Sequence, residues 1–93
     1  MDRIYGKFLR VVDGDTLDIA VTRRDGANEF DYRNTERIRL DGRDAPETGT
    51  PGALAAQRAL HERFRGRNLR VNVFAHDRYG RLIGYVTKTP RRQ

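Results

Sequence analysis

The sequence contains no cysteine and no long apolar run, and both absences limit what the chain can be. Without cysteine there is no disulfide framework, no zinc-thiolate site and no thiol nucleophile, so packing alone must stabilise the fold. No apolar stretch approaches the roughly 20 residues of a transmembrane helix, and the first residues lack the apolar segment of a signal peptide. We therefore expect no membrane partner and, as written, a cytoplasmic protein, or a secreted one if a leader has been trimmed.

Lysine is also scarce, because 17 of the 19 basic residues are arginine; the formal net charge is +6. Such a charge favours a polyanionic partner, either nucleic acid or an anionic membrane surface. The arginine excess points to phosphate, since the planar guanidinium binds phosphate oxygens in pairs. On charge alone, the reading that basic residues only solubilise a small domain stays open.

Alternating apolar and polar residues predict three strands in the first 40 residues. The stretch 7–13 is rich in β-branched and aromatic residues, and the stretches 16–21 and 37–40 alternate in polarity. We expect the apolar residues of the second and third strands to face inward: Leu17, Ile19, Val21, Ile38 and Leu40.

A hairpin is predicted between the second and third strands. The long polar segment 22–36 contains Asp25-Gly26, the strongest short turn signal in the chain. The two strands should therefore pair antiparallel, and a turn centred near residue 27 would place Asp15 directly opposite Arg39.

A helix and two more strands complete the pattern. Thr50 can cap the helix, Pro51 suits its first position and Gly66 suits its end. The stretches 69–74 and 82–87 then alternate as strands, with Leu69, Val71 and Val73 inward.

The predicted order is β-β-β-α-β-β. Five short strands bury little apolar surface unless the sheet curls, so we predict a mainly β fold with one helix, an OB-fold-like five-stranded barrel. A flat α+β sandwich is the alternative. The whole chain, 1–93, is expected to form one domain, with its core at about 4–88 and a basic tail at 89–93.

Three polar clusters interrupt this scaffold, each at a predicted strand end: DGDT at 13–16, RLDGRDAPE at 39–47 and DRYGR at 77–81. If Asp15 faces Arg39, then Asp44 and Glu47 lie on the same rim. Converging carboxylates repel one another unless a cation lies among them, and Ca²⁺ or Mg²⁺ would suit oxygen ligands. Singly, each cluster has a plain structural explanation as a turn or a strand end.

Together, the three clusters resemble the thermonuclease family, the staphylococcal-nuclease-like domains, over nearly the whole chain. The family pattern is D-G-D-T, then R-x-x-x-x-D-x-P-E, then D-x-Y-G-R after the helix, and every ionic position of it is present here. The resemblance implies a Ca²⁺-dependent nuclease that cleaves DNA or RNA with little sequence preference and leaves 3′-phosphate ends.

The resemblance also implies a metal site and a general base. Asp15, Asp44 and the backbone carbonyl of Ala45 would bind Ca²⁺. Glu47 would orient or deprotonate the attacking water. Many relatives have threonine at the position of Ala45, but coordination through the backbone should survive that change.

The remaining roles fall to residues that contact the substrate. Arg39 and Arg81 would grip the scissile phosphate from two sides, with Arg81 assisting the leaving oxygen. Arg78 and Tyr79 are expected to bind the substrate, Tyr79 against a sugar or base.

One departure from the family concerns the end of the chain. Family members usually continue past the fifth strand into C-terminal helices that cover the barrel, and these helices are lacking here. We expect either a minimal domain or a homo-oligomer whose second copy covers the exposed face.

Two rival readings stay open. One is a non-catalytic barrel of the same family that binds nucleic acid or a protein, and the other is a basic RNA-binding barrel without metal. Clustered carboxylates favour the enzyme, because a pure binder has no use for like charges held together.

Overall fold

The structure is a computed structural model that describes residues 1–42, 49 and 52–90. Its elements are β1 (Asp2–Asp13), β2 (Thr16–Arg24), β3 (Thr35–Leu40), α1 (Ala53–Phe64), β4 (Asn68–His76) and β5 (Leu82–Lys88). The predicted order of five strands and one helix is confirmed. No helix in this described part of the chain is long and apolar enough to span a bilayer.

The five strands close into a barrel in the order β1-β2-β3-β5-β4. All neighbouring pairs are antiparallel except β3 and β5, which run parallel. The OB-fold-like barrel is therefore confirmed over the flat sandwich. This order places β3 between β2 and β5, although the helix and β4 separate β3 from β5 in sequence.

The core fills the barrel with residues from every strand and from α1. Its fully buried members are Ile4, Leu17, Ile19, Ile38, Leu60, Leu69 and Val71. The inward positions predicted from alternation are confirmed, with Val21 only half-buried against the core. Burying each such side chain stabilises the fold by roughly 1.5–3 kcal/mol, which compensates for the missing disulfides.

β1 begins five residues before the predicted start, at Asp2. The sequence did not predict this extension because it contains Gly6, and glycine is unfavourable inside a strand. Here the glycine is required: a Cβ at position 6 would overlap the backbone carbonyl of Ala20 on β2. The close approach of the two strands lets Ile4 reach the core.

The connection between β2 and β3 is a ten-residue segment, 25–34, and not a tight hairpin. Asp25-Gly26 forms only a local turn, in which Asn28 N–H donates to the Asp25 carbonyl (3.2 Å). The pairing is offset by one residue from the prediction, because Thr16 and not Asp15 lies opposite Arg39. A shift of half a residue in the centre of the connection is enough to cause this offset.

The segment 25–34 is fixed to β1 by the buried carboxylate of Asp2. Asp2 accepts hydrogen bonds from the Tyr32 hydroxyl (2.6 Å) and from the backbone N–H groups of Glu29 (2.9 Å) and Phe30 (3.1 Å). The Tyr32 hydrogen bond and the two backbone donors hold the pKa of Asp2 below its usual value. The tyrosine thus covers the barrel end as part of the core.

The helix begins later than predicted. Its N-cap position is occupied by Gly52 (φ 91°), without a side-chain cap, so the prediction of a Thr50 cap followed by Pro51 was wrong; both residues lie outside the described ones. The predicted end is confirmed: Gly66 adopts φ 70°, a left-handed conformation that glycine adopts without strain.

Candidate active site

The order of the strands brings the DGDT and DRYGR clusters to one end of the barrel, together with the first residues of the RLDGRDAPE cluster. The DGDT turn joins β1 to β2, the DRYGR turn joins β4 to β5, and β3 ends between them at Leu40. Two backbone hydrogen bonds hold these ends together: Leu40 N–H donates to the Asp15 carbonyl (2.8 Å) and Asp41 N–H to the Gly84 carbonyl (3.0 Å). The DGDT turn, the end of β3 and the DRYGR turn therefore lie at the same end of the barrel.

Asp15 lies at the centre of this rim with its side chain 18% exposed. Its carboxylate accepts a hydrogen bond from the Thr16 hydroxyl (2.9 Å), and its other oxygen lies 3.6 Å from Arg39 Nε. Burial raises the pKa of Asp15, but hydrogen bonds with Asp13 and Thr16 and the charges of Arg39 and Arg81 outweigh it, so the pKa is lowered. These interactions thus favour the ionised form of the carboxylate.

Asp13 is hydrogen-bonded to Asp15 through its side chain, an interaction that did not emerge from the sequence. This hydrogen bond, together with burial, raises the pKa of Asp13. The charge of Asp15 contributes to this rise, because two neighbouring carboxyl groups repel each other when both are ionised. A divalent cation would relieve that repulsion, and the oxygen donors fit Ca²⁺ or Mg²⁺.

The remaining predicted metal and base residues, Asp44, Ala45 and Glu47, lie outside the described residues. Among the residues that the structure does describe, no group of three acidic, histidine or cysteine side chains could hold a metal ion. Of the three predicted metal ligands, Asp15 is the one that lies within the described residues, so the structure gives the position of that ligand.

Arg81 is held in place by Asp77, the first residue of the DRYGR cluster. Arg81 Nε lies 2.6 Å from one Asp77 oxygen, while the other oxygen accepts the backbone N–H groups of Tyr79 and Arg81 (both 2.9 Å). Burial raises the pKa of Asp77, but these hydrogen bonds outweigh it and lower the pKa overall. Asp77 therefore orients the guanidinium, in line with the plain interpretation of DRYGR as a tight turn whose aspartate pairs with an arginine.

Arg39 and Arg81 both lie close enough to Asp15 for their charges to act on its carboxyl group. The positive charge of each lowers the pKa of the Asp15 carboxyl. Arg39 projects from β3 with its side chain 45% exposed, whereas that of Arg81 is 27% exposed. Two oriented guanidinium groups beside one carboxylate can bind an anion such as a phosphate from two sides.

Arg78 and Tyr79 form the exposed tip of the same turn. An Arg78 nitrogen donates to the Tyr79 hydroxyl (2.9 Å), and the guanidinium carbons of Arg78 and Arg81 lie 5.0 Å and 5.6 Å from the Tyr79 ring centroid. The tyrosine is 70% exposed. Its ring thus lies beside the candidate site and is accessible for stacking.

An arginine-rich pocket of about 540 Å³ lies beside the site and was missed by the sequence analysis. Arg10, Arg33 and Arg37 line it together with Tyr79 and Arg81. Arg33 comes from the segment 25–34 and donates to the Gly80 carbonyl (3.2 Å), so this segment reaches the DRYGR turn. The alternation of polar and apolar residues in β3 could have predicted that Arg37 faces outward. The position of Arg33 depends on the path of the segment 25–34, which the sequence does not show.

Asp18 forms the floor of this pocket, with its side chain 4% exposed. It pairs with Arg10 from β1 and Arg37 from β3, both at 2.9 Å. Burial raises the pKa of Asp18, but hydrogen bonds and charge from the two arginines outweigh it and lower the pKa below its usual value. The carboxylate thus fixes two guanidinium groups in the pocket.

We predict that Asp18→Asn lowers the free energy of unfolding by about 1–3 kcal/mol at neutral pH, because two charge-assisted hydrogen bonds are lost. The folded-state pKa is depressed, so this contribution is fully present above the unfolded value of 3.8 and is lost as pH falls through the folded value. Urea denaturation at several pH values measures it. Asp31→Asn, at an exposed position, is the control. An Asp18→Asn deficit that persists unchanged at low pH would contradict the assignment.

Comparison with known proteins finds similarity to proteins named as nucleases. The model of the family described as staphylococcal nuclease homologue matches residues 37–92. An uncharacterized endonuclease of Escherichia coli is 34% identical over 83 residues, which cover 89% of this chain and 48% of that protein. A micrococcal nuclease of Shigella flexneri is 39% identical over 82 residues, 87% of this chain and 41% of the relative. A probable staphylococcal-like nuclease of Oryza sativa is 48% identical over 50 residues, 54% of this chain and 15% of the relative.

A five-stranded barrel with acids and arginines gathered at one end is the architecture that the sequence pattern implied. The chain belongs to the staphylococcal nuclease homologue family. It spans about half, or less, of the length of these relatives.

Proposed function

We propose that the protein is a Ca²⁺-dependent nuclease that hydrolyses phosphodiester bonds of DNA or RNA with little sequence preference and leaves 3′-phosphate ends. The observation that supports it most is the convergence of Arg39 and Arg81 on the ionised carboxylate of Asp15. The printed names of the relatives, which include an endonuclease and a micrococcal nuclease, point the same way.

The calcium site would be formed by Asp15, Asp44 and the backbone carbonyl of Ala45. The closeness of the Asp13 and Asp15 carboxyl groups supports a cation here, because a divalent ion would offset the repulsion between them. When bound, Ca²⁺ would supply positive charge beside the phosphate oxygens.

The reacting groups would then be provided by the chain itself. Glu47 would accept a proton from water as the water oxygen attacks phosphorus, and the bond from phosphorus to the 5′ oxygen would break. Arg39 and Arg81 would donate hydrogen bonds to the phosphate oxygens as negative charge builds on them. Arg81, held by Asp77, would also donate to the leaving 5′ oxygen, which then takes its proton from solvent.

Low sequence preference follows from the chemistry of the contacts. Arg78 at the tip of the turn, and Arg10, Arg33 and Arg37 in the adjacent pocket, offer guanidinium groups suited to phosphate. Tyr79 offers a ring on which any base can stack. Neither kind of contact reads the identity of a base.

Digestion of end-labelled single-stranded DNA in the presence of Ca²⁺ tests the proposal. We expect fragments that a polymerase extends only after phosphatase treatment, because a 3′-phosphate blocks extension. Fragments that extend at once would contradict the proposed chemistry. Binding without cleavage would support the non-catalytic alternative. Glu47→Gln protein purified in the same way is the control, and cleavage equal to wild type would reveal a contaminant.

A further inference from the structure

A second basic groove lies at the opposite end of β1 from the candidate active site. Its volume is about 1020 Å³, and its cationic lining residues come from β1, β2, β4, β5 and the link between α1 and β4. They are Lys7, Arg23, Arg67, Arg70 and Lys88. Tyr5 in this groove and Asp13 at the site are eight residues apart on β1, at most roughly 26 Å along an extended strand.

Barrel closure builds this groove across four adjacent strands. Tyr5 on β1 lies opposite Arg23 on β2 and also opposite Arg70 on β4, which in turn pairs with Thr87 on β5. Ile4 beside Tyr5, and Leu69 and Val71 on either side of Arg70, are buried in the core. Because side chains alternate along a strand, Tyr5 and its partners form one row on the outer surface.

The groove has no acidic lining residue, in contrast to the candidate active site. At the active-site end, Asp15, Asp18 and Asp77 each pair with an arginine. None of the five groove cations forms an ion pair with any other residue that the structure describes. Five unpaired positive charges around one concavity attract a polyanion.

Two side chains give the groove features suited to a nucleic-acid strand. Arg70 Nε is buried without a hydrogen-bond partner among the described residues, so this nitrogen is not used by another part of the described fold. The Arg23 guanidinium carbon lies 4.5 Å from the centroid of the half-buried Tyr5 ring. This pair presents a planar cationic surface on which a base can stack while neighbouring cations hold phosphates.

We propose that this groove is a second binding site for single-stranded nucleic acid, separate from the candidate active site. Its concave shape fits a narrow chain better than a flat bilayer surface, and its unpaired cations match a regularly charged backbone. Binding here does not depend on the proposed hydrolysis. In a nuclease, the groove would hold a long strand while the cut is made at the other end of the barrel.

Two triple variants that remove equal charge test the groove. Arg23→Gln/Arg70→Gln/Lys88→Gln alters it, and Arg58→Gln/Arg63→Gln/Arg65→Gln alters helix α1 and the residue after it, outside both pockets. Each variant removes three charges, from +6 to +3. Glutamine retains part of the long side chain, and thermal melting identifies any variant that fails to fold; the single variant Arg23→Gln then takes its place.

The measurement is fluorescence anisotropy of a labelled single strand of about 30 nucleotides in EGTA, so that no cleavage occurs. We expect the groove variant to raise Kd about tenfold or more, with a shallower salt dependence, and the helix variant to raise it less than about threefold. Equal weakening by both variants would mean that only net charge matters, and unchanged binding by the groove variant would overturn the proposal. Displacement of the strand by polyglutamate as readily as by unlabelled DNA would overturn the assignment to nucleic acid.

Cleavage provides a separate readout. The groove variant should raise KM for long single strands and leave kcat/KM for a dinucleotide unchanged, because a dinucleotide is too short to reach the groove. Absence of cleavage by wild-type protein would count against the proposed function alone, since anisotropy still decides whether the groove binds.

Discussion

Replacing Arg81 by alanine is expected to slow cleavage of single-stranded DNA by about 10²- to 10³-fold, the usual cost of removing one hydrogen-bond donor from a developing charge. Arg81 is suited to this role because Asp77 fixes its Nε at 2.6 Å and its side chain is only 27% exposed. A donor that is oriented before the reaction needs little reorganisation as negative charge builds. Single-turnover rates at saturating Ca²⁺ measure the effect on the chemical step.

Arg78→Ala is the matched control, because Arg78 belongs to the same turn and carries the same charge. It hydrogen-bonds only the Tyr79 hydroxyl among the described residues, so we expect it to raise KM and leave the single-turnover rate within about threefold of wild type. Arg81→Lys should remain strongly impaired, since an ammonium group lacks the planar pair of donors. Equal rate losses in Arg78→Ala and Arg81→Ala would show that general charge, and not orientation by Asp77, matters.

Much of the barrel was predictable because alternation is a local property of the chain. Leu17 and Ile19 in β2, and Ile38 and Leu40 in β3, recur at every second position, and all four face the core. The end of α1 was also predictable, since Gly66 adopts the left-handed conformation that favours glycine. These features depend on residues close together in sequence.

Features that depend on contacts between distant residues were not predictable. Gly6 was read as outside β1, and its purpose appears only where Ala20 approaches it. The pairing of β2 with β3 was off by one residue, because a connection of ten residues does not fix register as a two-residue turn does. The helix cap at Gly52 has no side-chain cap to signal it.

The candidate site was predictable in outline for a different reason. Asp15, Arg39 and Arg81 lie at strand ends, and strand ends meet at the rim of a closed barrel, so these three residues lie at one end of it even though one register was wrong. The ion pairs of Asp18 with Arg10 and Arg37 were not predictable from the sequence, because they depend on the pairing of β1, β2 and β3. The second basic groove was not predictable for the same reason, because it depends on the pairing of β1 with β4, which brings Tyr5 beside Arg70.

Removal of calcium is expected to abolish cleavage, and Asp15→Asn is expected to raise the Ca²⁺ concentration for half-maximal activity by at least about tenfold. The affinity of a calcium site depends on the number of its charged oxygen ligands, and this variant removes one of them. Chelation by EGTA followed by titration with Ca²⁺ measures both effects. Asp31→Asn removes the same charge at an exposed position and should leave the titration unchanged.

Calorimetric titration of Ca²⁺ into the protein without DNA separates metal binding from catalysis, and Asp15→Asn should weaken the binding by the same factor. Full cleavage in EGTA, or an unchanged calcium requirement in Asp15→Asn, would rule out the metal site. The non-catalytic alternative predicts a different result for the same variant. If the barrel only binds nucleic acid, loss of the carboxylate beside Arg39 and Arg81 should tighten DNA binding by removing a repulsive charge, with no cleavage to lose.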